Sequence, residues 1–140
     1  MRWEYTVKEF AEAVGGAIYC DESLKFNGVS IDTRKLLSGQ IFFALPGSKV
    51  DGHNYVHDAI NKGAPFVVVK KDVDVPHIKV EDTLKALQIF ARWHRKNCSV
   101  RVFGITGSCG KTTSKELISA VLSKKYNVVS TRGNYNNEIG

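Results

Sequence analysis

Gly104-Ile105-Thr106-Gly107-Ser108-Cys109-Gly110-Lys111-Thr112-Thr113 decides the reading of this 140-residue chain. The run follows an apolar segment, Val100 to Ile105, whose pattern predicts a buried strand, and it precedes Lys115 to Leu122, whose pattern predicts a helix. Strand, glycine-rich turn and helix in that order make a phosphate-binding loop. Glycines at 107 and 110 let successive backbone N–H groups turn inward around an anion, and the positive end of the helix dipole adds to the attraction. In such a loop Lys111 reaches the outer phosphates of a nucleotide, and the Thr112 hydroxyl coordinates Mg²⁺. The spacing departs from the general pattern at one place. Ile105 stands where glycine is usual, and the glycine lies one step earlier at Gly104.

Composition bounds what surrounds this loop. Hydrophobic content of 43% with 24% charged residues is that of a globular protein able to build a core. No apolar run approaches the roughly 20 residues that span a bilayer. The charged start Met1-Arg2-Trp3-Glu4 has no apolar centre of the kind a signal peptide needs, so a cytoplasmic location and no membrane span are expected. Cys20, Cys98 and Cys109 are odd in number and far apart, suggesting neither a disulfide framework nor a zinc site. The net charge of +6 is spread along the chain without a nucleic-acid recognition module or an aromatic-interleaved basic repeat, which argues against a nucleic-acid partner. A basic balance also suits polyanionic ligands such as nucleotides and nucleotide-linked sugars.

Upstream, Thr6-Val7-Lys8-Glu9 is a capping box for a helix that carries Val7, Phe10, Ala11 and Val14 on one face and ends at Gly15-Gly16. Short strands are predicted at Ala17 to Tyr19, Val29 to Arg34, Ile41 to Leu45, Phe66 to Val69 and Ile78 to Val80, with a turn at Lys25 to Gly28. In the second of these strands, alternation places Val29, Ile31 and Thr33 on one side and Ser30, Asp32 and Arg34 on the other. A helix over Asn54 to Asn61 should bury Tyr55, Ala59 and Ile60, and one over Thr83 to Arg95, capped by Asp82, should bury Leu84, Leu87, Phe90 and Ala91. His53 and His57 have the spacing of a metal pair but no third ligand, and read as surface histidines. The pattern changes around Lys96 to Ser99, giving a first domain over 1–98 and a second beginning over 99–140. Within the second, Tyr126 to Ser130 predicts a strand and the asparagine-rich 131–140 a loop.

These stretches together resemble the Mur ligases of peptidoglycan synthesis, from about Thr6 to Gly140. The glycine-rich run is similar to that family's own form of the phosphate loop. Ser30 to Arg34, Gly39 to Gly47 and Asp51-Gly52-His53 resemble its uridine-nucleotide domain, and Thr131 to Gly140 resembles its asparagine-rich motif. The resemblance implies an α/β fold: a small mixed-sheet UDP-sugar domain followed by the start of a P-loop, Rossmann-like ATP-binding domain. It implies ATP and Mg²⁺ as cofactors, UDP-N-acetylmuramoyl-peptide and D-alanyl-D-alanine as the molecules joined, and an acyl phosphate as intermediate. The protein is expected to be a monomer. Residue matching gives Thr106, Gly107, Ser108, Cys109, Gly110, Lys111, Thr112 and Thr113 for ATP, with Lys111 catalytic and Thr112 on the metal. It gives Ile31, Thr33, Arg34, Ser48 and Lys49 for the UDP-sugar, and Asn134, Asn136 and Asn137 for the junction of ATP and substrate. Thr33 stands where the family usually has serine, and Cys109 where it often has asparagine.

The resemblance also implies further domains beyond Gly140 and a chain that does not turn over by itself, because the acidic metal ligands of the central domain are not in this sequence. Two other readings stay open: the ligase that adds the third residue to the UDP-linked dipeptide, and a binding module for UDP-sugar or nucleotide without catalysis.

Overall fold

A computed structural model describes residues 4–47 and 50–133. The chain divides into two compact units, Met1–Ser99 and Val100–Gly140.

The first unit opens with β1 (Tyr5–Thr6) and α1 (Val7–Val14). The capping box forms: the Glu9 N–H donates to Thr6 Oγ1 at 3.2 Å, and the Thr6 N–H donates to Glu9 Oε2 at 2.9 Å. Gly15 then ends the helix at φ 69°, in the left-handed region that favours glycine. There follow β2 (Ala17–Tyr19), β3 (Lys25–Phe26), β4 (Val29–Ser30), β5 (Ile41–Phe43), a 3₁₀ turn (Gly52–Tyr55), α2 (Val56–Asn61), β6 (Val67–Val69), β7 (His77–Lys79) and α3 (Thr83–Lys96). The main sheet has the order β2-β7-β6-β5-β4, parallel from β4 to β7, with β2 antiparallel to β7. β1 and β3 make a separate antiparallel ribbon with Tyr5 opposite Phe26.

Side chains alternate across a strand, so apolar runs in a sheet covered on both faces feed two cores. Ile41, Phe43, Val68 and Ile78 pack with Val7 and Phe10 of α1 and with Ala86 and Phe90 of α3. Phe42, Val67 and Val69 pack on the other side with Val56 and Ala59 of α2. Phe10 sits at the centre of an aromatic cluster, its ring centroid 5.0 Å from Phe90, 5.7 Å from Phe26 and 5.8 Å from Phe43.

Several local expectations are corrected. The strand predicted over Val29 to Arg34 stops at Ser30, because side chains there take the hydrogen bonds a ladder would need. Ser30 Oγ donates to the Asp32 carbonyl at 2.9 Å, and Asp32 Oδ1 accepts the Arg34 N–H at 3.0 Å. The expected common face dissolves: Val29 and Ile31 are exposed while Thr33 is buried. The turn predicted at Lys25 to Gly28 contains β3. The helix predicted from Asn54 begins as the 3₁₀ turn capped by Asp51, and the change in pitch buries Val56 and Ala59 while leaving Tyr55 exposed and Ile60 half-buried. α3 buries Thr83, Ala86 and Phe90, whereas Leu84 and Leu87 are half-buried and Ala91 is exposed. Thr83 is buried because its hydroxyl donates to the Ala44 carbonyl at 3.0 Å.

In the second unit, the predicted helix begins four residues early, as α4 (Lys111–Leu122). The strands predicted over Val100 to Ile105 and Tyr126 to Ser130 are absent, since strand structure exists only through pairing and these segments do not pair with each other. Val102 and Phe103 are about two-thirds exposed, at 67% and 66%.

Candidate functional site

The glycine-rich run ends at the N-terminus of α4, where helix geometry leaves backbone N–H groups without partners inside the helix. Gly110 is the N-cap, at φ 74°. A Cβ at this position would meet nothing within 4 Å, so the requirement for glycine is conformational rather than steric. From this cap the chain turns directly into helix, which brings Lys111 and Thr112 into the first turn. The Lys111 ammonium folds back to donate to the Gly107 carbonyl at 2.5 Å, placing a positive charge at the loop itself. Thr106, Gly107, Ser108, Cys109, Gly110, Lys111, Thr112 and Thr113 are all exposed. Cys109 is a free thiol.

A second lysine of α4 is also engaged. Lys115 Nζ donates to the carbonyls of Thr131 at 2.6 Å and Gly133 at 2.8 Å.

In the first unit, Ile31, Thr33 and Arg34 come together in one turn after β4. Ile31 is exposed, and the Arg34 guanidinium reaches into solvent while gripping Asp32 with two bonds, Nε to Oδ1 at 2.9 Å and Nη2 to Oδ2 at 2.7 Å. These bonds, with the Arg34 backbone N–H, pull the Asp32 carboxyl down to about 2. Thr33 is held differently. It is buried, and the Asp58 carboxylate lies below the usual carboxylate range, through the Thr33 side chain first and the Lys62 ammonium second. Lys62 Nζ closes the group, donating to the Thr33 carbonyl and to Asp58 Oδ2, each at 3.0 Å. Ser48, Lys49, Asn134, Asn136 and Asn137 lie outside the described residues.

His53 is not the surface histidine its sequence context suggests. It is buried, and the Lys70 backbone N–H donates to its Nε2 at 3.0 Å, which leaves Nδ1 to donate to Asp51 Oδ1 at 2.7 Å. The ring thereby ties the 3₁₀ turn to the end of β6. The Asp51 carboxyl lies below its ordinary range, chiefly through the His53 backbone N–H and then through the ring. His57, by contrast, is exposed and pairs with Asp74 at 2.9 Å.

Residue patterns hid these anchors unequally. Asp58 and Lys62 stand four apart on one helix face, a spacing that announces an ion pair, and Asp51 two before His53 announces a cap. Nothing local connects Lys62 to Thr33, His53 to Lys70 or Lys115 to Gly133, which are 29, 17 and 18 residues apart.

The mixed sheet covered by helices, followed in sequence by a left-handed glycine, a lysine and a helix N-terminus, defines an α/β protein of the phosphate-loop class. Residues 25–95 match the model of the Mur ligase family, catalytic domain, and residues 105–140 match that of the Mur ligase middle domain. The chain belongs to the Mur ligase family. It is 47% identical over 124 residues to the UDP-N-acetylmuramoyl-tripeptide--D-alanyl-D-alanine ligase of Synechocystis sp., a match covering 85% of this chain and 27% of that protein. A crystal structure of MurF from Acinetobacter baumannii superposes with a TM-score of 0.87 at 30% identity, over 97% of this chain and 31% of that one. The MurF ligase of Thermotoga maritima, solved in complex with ADP, gives a TM-score of 0.66 at 34% identity, over 77% of this chain and 26% of that one. The chain thus spans about a third or less of the length of the proteins it matches.

Proposed function

We propose that this chain supplies the UDP-sugar domain and the opening of the ATP-binding domain, within 1–98 and 99–140, of an enzyme that joins D-alanyl-D-alanine to UDP-N-acetylmuramoyl-tripeptide. The observation that carries the reading is the continuity of the match: one relative, named for that reaction, aligns at 47% identity over 85% of the chain. The similar ligase solved with ADP supports a nucleotide as ligand, and the glycine-rich run is the place proposed for it. The residues present fit a nucleotide's phosphates. Gly110 in the left-handed region opens the helix N-terminus to an anion, and Lys111, now on the Gly107 carbonyl, needs only to exchange that acceptor for a phosphate oxygen. For Mg²⁺ the fit is partial. Thr112 offers a hydroxyl in the first turn of α4, while no cluster of three or more His, Cys, Asp or Glu among the described residues is placed to hold a metal.

When bound, ATP with Mg²⁺ supplies the activated phosphoryl group, which the substrate carboxylate takes up as an acyl phosphate before the amine of D-alanyl-D-alanine displaces phosphate. In that reaction Lys111 stabilises charge on the transferring group. The turn at Ile31 to Arg34, together with Ser48 and Lys49, holds the UDP-sugar, with Lys62 fixing the turn at the Thr33 carbonyl and Arg34 offering its guanidinium. Asn134, Asn136 and Asn137 serve the junction of ATP and substrate. None of the helices among the described residues is long and apolar enough to cross a membrane, and the proposed location is the cytoplasm.

The test is phosphate release and amide formation by the full-length gene product, with ATP and D-alanyl-D-alanine, on UDP-N-acetylmuramoyl-tripeptide. Turnover of the tripeptide is expected. Turnover only of the dipeptide with a single amino acid would overturn the assignment in favour of the preceding ligase.

A further inference from the structure

Leu117, Ile118 and Val121 of α4 are exposed, whereas Lys115 is half-buried. Lys115 also stands four residues after Lys111, so that two ammonium groups share one helix face near the positive end of the helix dipole. Both features oppose helix stability, since like charges at that spacing repel and cations favour the other terminus. Among the described residues no carboxylate pairs with Lys115. Its ammonium is instead satisfied by two carbonyls, Thr131 at 2.6 Å and Gly133 at 2.8 Å, from a segment 16 to 18 residues further along the chain. Gly133 takes φ 53°, a left-handed turn that a side chain would resist.

We propose that Lys115 is a positioning residue, clamping the backbone of residues 131–133 to the helix that bears Lys111 and Thr112. A helix is rigid over one turn, so a segment tied to Lys115 is also tied, at fixed distance, to the phosphate loop. The bond is between an ammonium and backbone carbonyls, so it fixes the segment whatever its side chains are. Asn134 follows Gly133 directly in the sequence. The catalytic consequence rests on the ligase reading above; the clamp itself does not.

The experiment compares Lys115→Met and Lys115→Arg with the unaltered full-length protein by two readouts. The first is hydrogen–deuterium exchange of peptides covering 129–137, which needs no substrate. Lys115→Met is expected to speed that exchange while leaving peptides of the first unit unchanged, and Lys115→Arg, which still donates to two carbonyls, to restore slow exchange. The second is ligation kinetics. Misplacing reacting groups by about 1 Å costs up to about 100-fold, so kcat should fall about 10- to 100-fold in Lys115→Met, with KM for ATP within about twofold, an unchanged melting midpoint and partial recovery in Lys115→Arg. Unchanged exchange in Lys115→Met overturns the clamp. Faster exchange with unchanged kcat overturns its catalytic consequence, as does a loss of kcat that tracks a lowered melting midpoint. If the unaltered protein does not ligate but exchange still responds to Lys115, the clamp stands and the ligase reading has failed.

Discussion

In Met1–Ser99, chemistry-bearing side chains hang from a structure that is finished: a five-stranded sheet with a buried cluster on each face, and turns tied down by Asp58, Lys62 and His53. In Val100–Gly140 the relation is reversed. Its glycine-rich run is the most specific chemical signal in the chain, yet α4 buries no side chain and the described residues form no strand. A phosphate loop is a local object, made by a few consecutive residues and the end of one helix. A core is not, and so the residues of the candidate loop and the residues of a buried core lie in different parts of the sequence.

The contrast is tested most severely at Phe10. Its side chain has no solvent exposure and touches the rings of Phe26, Phe43, Phe66 and Phe90. Phe10→Ala should destabilise the first unit by about 3–5 kcal/mol, read as a large drop in the urea midpoint. A loss below about 1 kcal/mol would mean that this cluster does not hold the unit together.

Next in size is Lys111→Met in the full-length protein. Losing one charge-stabilising donor typically costs about 10²–10³ in kcat, and because Lys111 is exposed and its bond is to a loop carbonyl, the melting midpoint should stay within about 1 °C. The pair of variants separates the roles: one removes fold without chemistry at the loop, the other chemistry without fold. A fall in melting midpoint for Lys111→Met comparable to that of Phe10→Ala would break the separation.

The same contrast explains which features are legible in the sequence. Thr6 to Glu9, Gly15 and Asp82 each act within one turn of helix, and their caps form where their spacing puts them. The runs at Ile41 and Val67 were legible because two-sided burial leaves a continuous apolar signature. Val29 to Arg34 misled because its alternation is real but Ser30 and Asp32 take the backbone for themselves. Val100 to Ile105 misled for the opposite reason, its strand-like composition being unable to make a strand without a neighbour. At the candidate site the glycine-rich loop could be named from its own residues, whereas Ile31, Thr33 and Arg34 came only with the family resemblance, their segment being expected as strand rather than turn. The anchoring groups, Lys62 on the Thr33 carbonyl and Lys115 on the Thr131 carbonyl, could not be named, because a lysine that reaches a carbonyl many residues away leaves no periodic trace.

The smallest expected effect discriminates best between a helix held by packing and one held by its ends. Leu117 is 63% exposed and lies with Ile118, Val121 and Leu122 on one apolar face of α4. Leucine and glutamine have similar helix propensities, so Leu117→Gln changes burial and little else. If that face is uncovered in the 140-residue chain, the substitution should alter stability by no more than about 0.5 kcal/mol. The matched change at Leu87, a half-buried residue of α3 packed against the core, should cost about 1–2 kcal/mol. Thermal melts followed by far-ultraviolet circular dichroism give both values in one experiment. Equal losses at the two positions would show that α4 is covered as α3 is, and the second unit would then owe its helix to apolar packing rather than to Gly110, Lys115 and the backbone they arrange.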